Sequence, residues 1–150
     1  MTSLEQDIKQ KSFANEQVKA NLNVLYTANW LNNKISSFLK PHKLTHEQFN
    51  VLRILRGSHP KSMCQKDILS RMIAPNSNVT LIITKLKNKK YIKVLQSEKD
   101  KREYVINITK EGLAILKEMD KILEQQKANF NNLSDSEAFH LNSLLNKIRS

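Results

Sequence analysis

NSNVTLIITKLKNKK, residues 76–90, carries the pattern from which the rest of the architecture can be read. Val79, Ile82, Ile83 and Leu86 recur at i, i+3, i+4 and i+7, the spacing that gathers one apolar stripe on a helix. At 3.6 residues per turn the outer side carries Ser77, Thr80, Leu81, Thr84, Lys85 and Asn88. Short polar groups and a base, with a leucine near their middle, raise the question of what that face meets.

Upstream, residues 65–73 read as a short helix with Ile68, Leu69 and Met72 inward. Pro75, suited to a first helical turn, starts the quoted helix after a brief break. Short helix, tight turn and polar-faced helix make a helix-turn-helix pattern. Downstream, residues 92–95 and 104–108 are β-branched and aromatic runs around the charged segment QSEKDKRE, which predicts a hairpin with a basic tip. A helix-turn-helix followed by such a hairpin is the winged version of the motif.

Charge supports a polyanionic partner for this middle region. The chain of 150 residues has 25 bases and 14 acids, a formal charge of +11. Residues 61–110 hold 12 of the bases and 4 of the acids, so a net +8 lies in the middle third. Evenly scattered lysines would serve solubility alone, whereas a cluster beside a polar helix face favours phosphate contacts.

Outside the middle third the chain reads as helix. Two glycines and three prolines leave little material for an all-β fold. Residues 12–39 lack both and carry two apolar series, so a long helix with more than one buried side is expected, ended by Pro41. Thr45 and Gln48 form a capping box for a helix through Phe49, Leu52 and Leu55 that stops at Gly57, with a loop over residues 58–63. Thr109 can cap a helix through Leu113, Leu116, Met119, Leu123 and later Phe130, and Ser134 with Glu137 boxes a last one through Leu141, Leu144 and Ile148. Gly112 sits in a first helical turn, where it costs up to ~1 kcal/mol against alanine, which points to close backbone packing. The expected architecture is mainly α with a small β-hairpin wing, in one unit spanning residues 1–150. A winged helix-turn-helix lobe occupies about residues 42–110, and dimerisation helices occupy about 12–40 and 110–150. Terminal helices of this kind hold more apolar surface than the lobe can cover, and a second copy would cover it.

Several function classes lose support. The four histidines are scattered, and His42 and His46 straddle Pro41 and the Thr45 cap, so no metal site is expected. Glycine-rich phosphate loops and nucleophile elbows are missing, which argues against an enzyme and against a bound cofactor. One cysteine, Cys64, allows no internal disulfide and suits a reducing compartment. The opening MTSLEQDIKQ is polar and no run approaches bilayer length, so a cytoplasmic protein without a membrane partner is expected.

Three segments then resemble the MarR-type winged helix regulators of bacteria: LTHEQFNVLRIL (44–55), CQKDILSRMIAPNSNVTLIITKLKNKKYI (64–92) and SEKDKREYVINITKEG (97–112). The resemblance implies an obligate homodimer built from the terminal helices, with two lobes reading double-stranded DNA at a pseudo-palindromic operator. It also implies a repressor relieved by a small phenolic or other apolar effector, or by an oxidant. Recognition-helix contacts would come from Asn76, Ser77, Asn78, Thr80, Leu81, Thr84 and Lys85. Wing contacts would come from Lys99, Asp100, Lys101 and Arg102, with Asp100 steadying an arginine that reaches the minor groove; residues two apart on a strand do share a face. The family's effector cleft lies between dimer helices and lobe, and Tyr26, Trp30, Phe38 and Phe49 could line it or be plain core.

Two departures from the family pattern stand out. Leu81 replaces a common arginine or other polar residue, and Lys90 lies where a glycine is usual just before the wing. Leu81 could meet a thymine methyl or fold back onto its own lobe. Cys64 opens the short helix of the motif, but the peroxide-sensing branch has its cysteine in the first long helix, which here has none. A structural role for Cys64 is therefore preferred. The rival function from another class is a winged-helix protein-interaction module without specific DNA binding, with Leu81 in its docking patch.

Overall fold

The computed structural model describes residues 3–75, 78–97, 101–125 and 132–150. A short helix α1 (Leu4–Ile8) precedes the long α2 (Glu16–Leu39), whose first turn is capped by the Asn15 side chain accepting from the Val18 N–H at 2.9 Å. α2 therefore begins four residues later than residue 12, where the Asn15 oxygen satisfies an end amide. Only Phe38 and Leu39 of α2 are buried in the single chain. A 3-10 turn (Lys40–His42) containing Pro41 and a left-handed Lys43 redirect the chain into α3 (His46–Ser58).

The Thr45–Gln48 capping box forms as expected, and Gln48, although buried, is satisfied by it. α3 runs through Gly57 to Ser58 instead of stopping at the glycine, because Gly57 keeps a helical backbone and does not take the left-handed conformation of a C-terminal cap. The loop over residues 58–63 is shorter than expected. Met63 and Cys64 form a strand, β1 (Met63–Cys64), which pairs with the outer edge of the wing.

Helix α4 (Gln65–Ser70) ends before Ile73, and α5 (Val79–Asn88) starts at Val79 rather than Pro75. The reason is the Asn78 side chain, which caps α5 by accepting from the Leu81 N–H at 3.0 Å. Strands β2 (Ile92–Gln96) and β3 (Tyr104–Ile108) pair antiparallel from Ile92 opposite Ile108 to Gln96 opposite Tyr104, giving the order β1-β3-β2. Alternation along these strands sends Ile92, Ile106 and Ile108 to the core and leaves Leu95 outside. α6 (Lys110–Gln125) and α7 (Asp135–Ile148) complete the described elements.

One core unites these pieces: Leu52 and Leu55 of α3, Ile68 of α4, Leu86 of α5, Ile106 of β3 and Leu116 and Met119 of α6 are all essentially inaccessible. Burying side chains of this size contributes about 1.5–3 kcal/mol each. An Arg56–Asp120 fork at 2.5 and 3.5 Å adds a link between α3 and α6, worth at most about 1 kcal/mol at its half-exposed position.

Candidate nucleic-acid interface

The quoted helix turns as its spacing predicts. Val79, Ile82, Ile83 and Leu86 are buried, while Thr80, Leu81, Thr84, Lys85 and Asn88 are exposed. Leu81 is 48% exposed and outside the core cluster, so it is not folded back into the lobe. Asn76 and Ser77, offered as contacts, lie outside the described residues.

Two bonds hold the exposed face in place. Gln65, first residue of α4, donates from Nε2 to Thr80 Oγ1 at 2.8 Å and locks the two helices of the motif together. Thr84 donates its hydroxyl to the Thr80 carbonyl at 2.9 Å. Gln65 was not among the residues singled out in the sequence, since fifteen positions separate it from Thr80 and no local pattern marks the pair. The intervening turn is itself pinned by Asn50, whose Oδ1 accepts from the Ile73 N–H at 3.0 Å.

The far end of α5 explains the Lys90 departure. Lys90 N–H donates to the Lys87 carbonyl at 2.9 Å and Tyr91 N–H to the Leu86 carbonyl at 3.1 Å, a Schellman closure whose pivot, Lys90, has φ 62°. Glycine adopts that conformation without the crowding a Cβ brings; lysine here adopts it anyway. The next carbonyl, of Tyr91, accepts from the Thr109 N–H at 3.0 Å, and a Cβ on Gly112 would stand 2.3 Å from it. Thr109 is buried, donates its hydroxyl to the Lys90 carbonyl at 2.8 Å and caps α6 by accepting from Gly112 N–H at 3.1 Å. Recognition-type helix, wing and α6 thus meet at one knot of backbone bonds. The close packing expected at Gly112 is there.

On the wing, Lys101 and Arg102 are exposed, and Lys99 and Asp100 fall outside the described residues. Gln96 Nε2 donates to the Lys101 carbonyl, and Ser97 N–H donates to the Glu103 carbonyl at 2.8 Å, so the strands stay paired close to the tip. Lys85 and Lys87 in the last turn of α5, and Lys93, Lys101 and Arg102 of the wing, are all exposed and give each element a cationic border.

The four aromatic effector candidates do not come together in the single chain. Phe38 and Phe49 are core, drawn in by the apolar underside of α3. Tyr26 and Trp30 stand exposed on α2, with the Lys34 ammonium 4.3 Å from the Trp30 ring centre. A concave surface of about 440 Å³ lies instead between the end of α2 and the start of α3, lined by Ser36, Lys40, Lys43, Leu44, Thr45, His46 and Glu47. Its own backbone N–H, then the Thr45 hydroxyl, holds the Glu47 carboxyl below the usual carboxylate range. Lys89, the C-cap of α5, donates from Nζ to the Lys43 carbonyl at 2.6 Å, tying this concavity to the end of α5.

Among the described residues no cluster of three metal-ligating side chains exists. Cys64 is partly buried, and its sulfur caps α4 by accepting from the Asp67 N–H at 3.4 Å, which is a structural role. No described helix is long and apolar enough to cross a membrane.

The family model for the transcriptional regulator SarA/Rot matches residues 33–119, more than half of the chain. The chain belongs to the SarA/Rot family of transcriptional regulators. Members of this family regulate transcription and are not enzymes. The HTH-type transcriptional regulator SarZ of Staphylococcus aureus is 26% identical over 117 residues, 78% of this chain and 75% of SarZ. Two solved structures share the fold of this SarA/Rot chain. A cysteine-to-serine mutant of MarR from E. coli, complexed with operator DNA, has TM-score 0.77 and 21% identity over 92% of this chain and 99% of MarR. BpsR of Bordetella bronchiseptica, whose DNA binding is regulated by 6-hydroxynicotinic acid, has TM-score 0.74 and 23% identity over 88% of this chain and 99% of BpsR. The MarR-type resemblance of the three segments is borne out in the fold that these structures share, and SarA/Rot is the family that the model gives.

Proposed function

We propose that this SarA/Rot-type regulator is a cytoplasmic, homodimeric repressor that binds double-stranded DNA at pseudo-palindromic operators. α5 would enter the major groove with Asn78, Thr80, Leu81, Thr84 and Lys85, preceded by Asn76 and Ser77. The wing residues Lys99, Asp100, Lys101 and Arg102 would lie at the flanking minor groove. One observation carries the reading: α5 buries its whole apolar stripe in the lobe and keeps the opposite face outward beside the cationic wing. A dimer is supported by α2 and α7, which leave Leu25, Phe139, Leu144 and Ile148 more than half exposed. Two copies would place two lobes against half-sites about one helical turn apart. In this reading residues 12–40 and 110–150 are the dimerisation helices around a lobe of residues 42–110.

Relief by a small effector is supported by the concavity of Lys40, Lys43 and His46 and its tether to α5 through Lys89. In this reading the effector is a small phenolic or other apolar molecule, and the surface offers it Leu44 between the Lys40 and Lys43 ammonium groups and the Glu47 carboxylate.

Mobility shift with a random-sequence duplex pool across a salt series tests the proposal. The expected result is an affinity that falls steeply as salt rises, since released counterions drive binding. Failure to bind any duplex in dilute buffer would favour the protein-interaction module, for which half-exposed Leu81 is the supporting feature.

A further inference from the structure

We propose that Leu81 reads the C5-methyl group of a thymine, making it the specificity-determining residue of α5; the inference rests on the duplex-binding reading above. Asn78 Oδ1 accepts from the Leu81 N–H, so that side chain offers its amide donors and one remaining lone pair. Thr84 gives its hydroxyl proton to the Thr80 carbonyl and keeps only lone pairs. Thr80 Oγ1 accepts from Gln65 and retains one O–H donor.

Lys85 is the one charged donor on the exposed middle of the helix, and an ammonium is a point contact without the fork that pairs guanine O6 and N7 together. The described part of α5 contains no arginine. Beside these partly engaged polar groups stands an isobutyl group, at the third position after the Asn78 cap, half exposed and held in register by the bond that its own N–H makes to Asn78. In the major groove of unmodified DNA the thymine methyl is the apolar feature available to it. The exposed Lys85, Lys87, Lys93, Lys101 and Arg102 make a duplex the occupant that charge favours over an apolar protein surface.

The test uses the full chain. Duplexes enriched by the wild type from a random-sequence pool are resynthesised with each thymine singly replaced by deoxyuridine, which removes only the methyl. Affinities are measured for wild type, Leu81→Ala and Leu81→Met at one salt concentration. At one position per half-site, deoxyuridine should weaken the wild type about three- to fivefold, the value of one buried methyl-sized contact. That penalty should vanish in Leu81→Ala and persist in Leu81→Met, whose side chain still reaches the groove. Circular dichroism should show both variants folded, as their site is on the surface.

A deoxyuridine scan that is neutral everywhere, while the wild type still binds selected duplexes with a steep salt dependence, overturns the inference and leaves duplex binding intact. An undiminished penalty in Leu81→Ala also overturns it. Failure to enrich any duplex, with Leu81→Ala instead losing a protein partner, sinks both readings together.

Discussion

The winged lobe and the terminal helices are built from similar apolar material, yet the lobe closes its core within one chain and the terminal helices do not. In the lobe, α3 alone buries Phe49, Val51, Leu52 and Leu55. Along the 24 residues of α2 only the last two are buried, and α7 buries none of its fourteen. Folding ends, and assembly begins, where a chain runs out of its own apolar neighbours. A helix with neighbours on three sides is stabilised by its own chain; one that leaves a leucine or phenylalanine over half exposed awaits another surface.

Breaking the lobe should have the largest effect. Gly112→Ala pushes a methyl to within 2.3 Å of the Tyr91 carbonyl, a backbone atom held by its bond to Thr109, and is expected to cost about 3 kcal/mol in chemical denaturation. The same change at Gly57, helical and with nothing within 4 Å, should instead stabilise by about 0.5–1 kcal/mol. Opposite signs from one substitution would show that packing at the knot, and not helix propensity, rules the lobe.

Next comes the assembly side. Leu144→Glu, at a position 60% exposed in the single chain, should leave the lobe's fold unchanged by circular dichroism. Light scattering should show a monomer, and affinity for a two-half-site duplex should fall by about a hundredfold as paired binding is lost. A variant that unfolds the lobe as well would erase the distinction between the two regions.

A smaller gain is expected from Lys90→Gly. Relief of a left-handed non-glycine residue should raise stability by about 1 kcal/mol, read as a higher midpoint in urea. Smallest is the effect of acid on α1. The Glu5 carboxyl is pulled down to about 2, chiefly by its hydrogen bond from Lys19, 2.6 Å away, against an ordinary value of 4.5. Its folded value is the lower one, so the contribution to docking α1 on α2 is complete above pH 4.5 and fades as pH falls toward and through 2. Amide exchange in residues 4–8 should quicken over that window while the lobe's amides stay protected.

Much of this contrast was legible in the residues. The i, i+3, i+4, i+7 stripe of α5 and the capping boxes at Thr45 and at Ser134 depend on neighbours three or four positions apart, so local spacing exposes them. Features that depend on distant neighbours were harder to see. β1 is two residues long and exists only because β3 offers an edge; the Gln65–Thr80 bond and the Lys89–Lys43 tether join segments with no periodic relation. The aromatic candidates illustrate the same limit. Nothing local distinguishes Phe38, which is core, from Trp30 on the same helix, which is exposed, because the distinction lies in where α3 packs.

The winged motif, the outward polar face with its leucine, the basic middle third and the tight fit at Gly112 are all written in the residues. Each follows from short-range sterics, periodicity or charge, which the chain carries wherever it goes. Long-range packing alone set the pairing of Met63 and Cys64 with β3, the Gln65–Thr80 bond and the reach of Lys89 to the Lys43 carbonyl. Those outcomes are set by which surfaces meet across long loops, and no local pattern encodes that meeting.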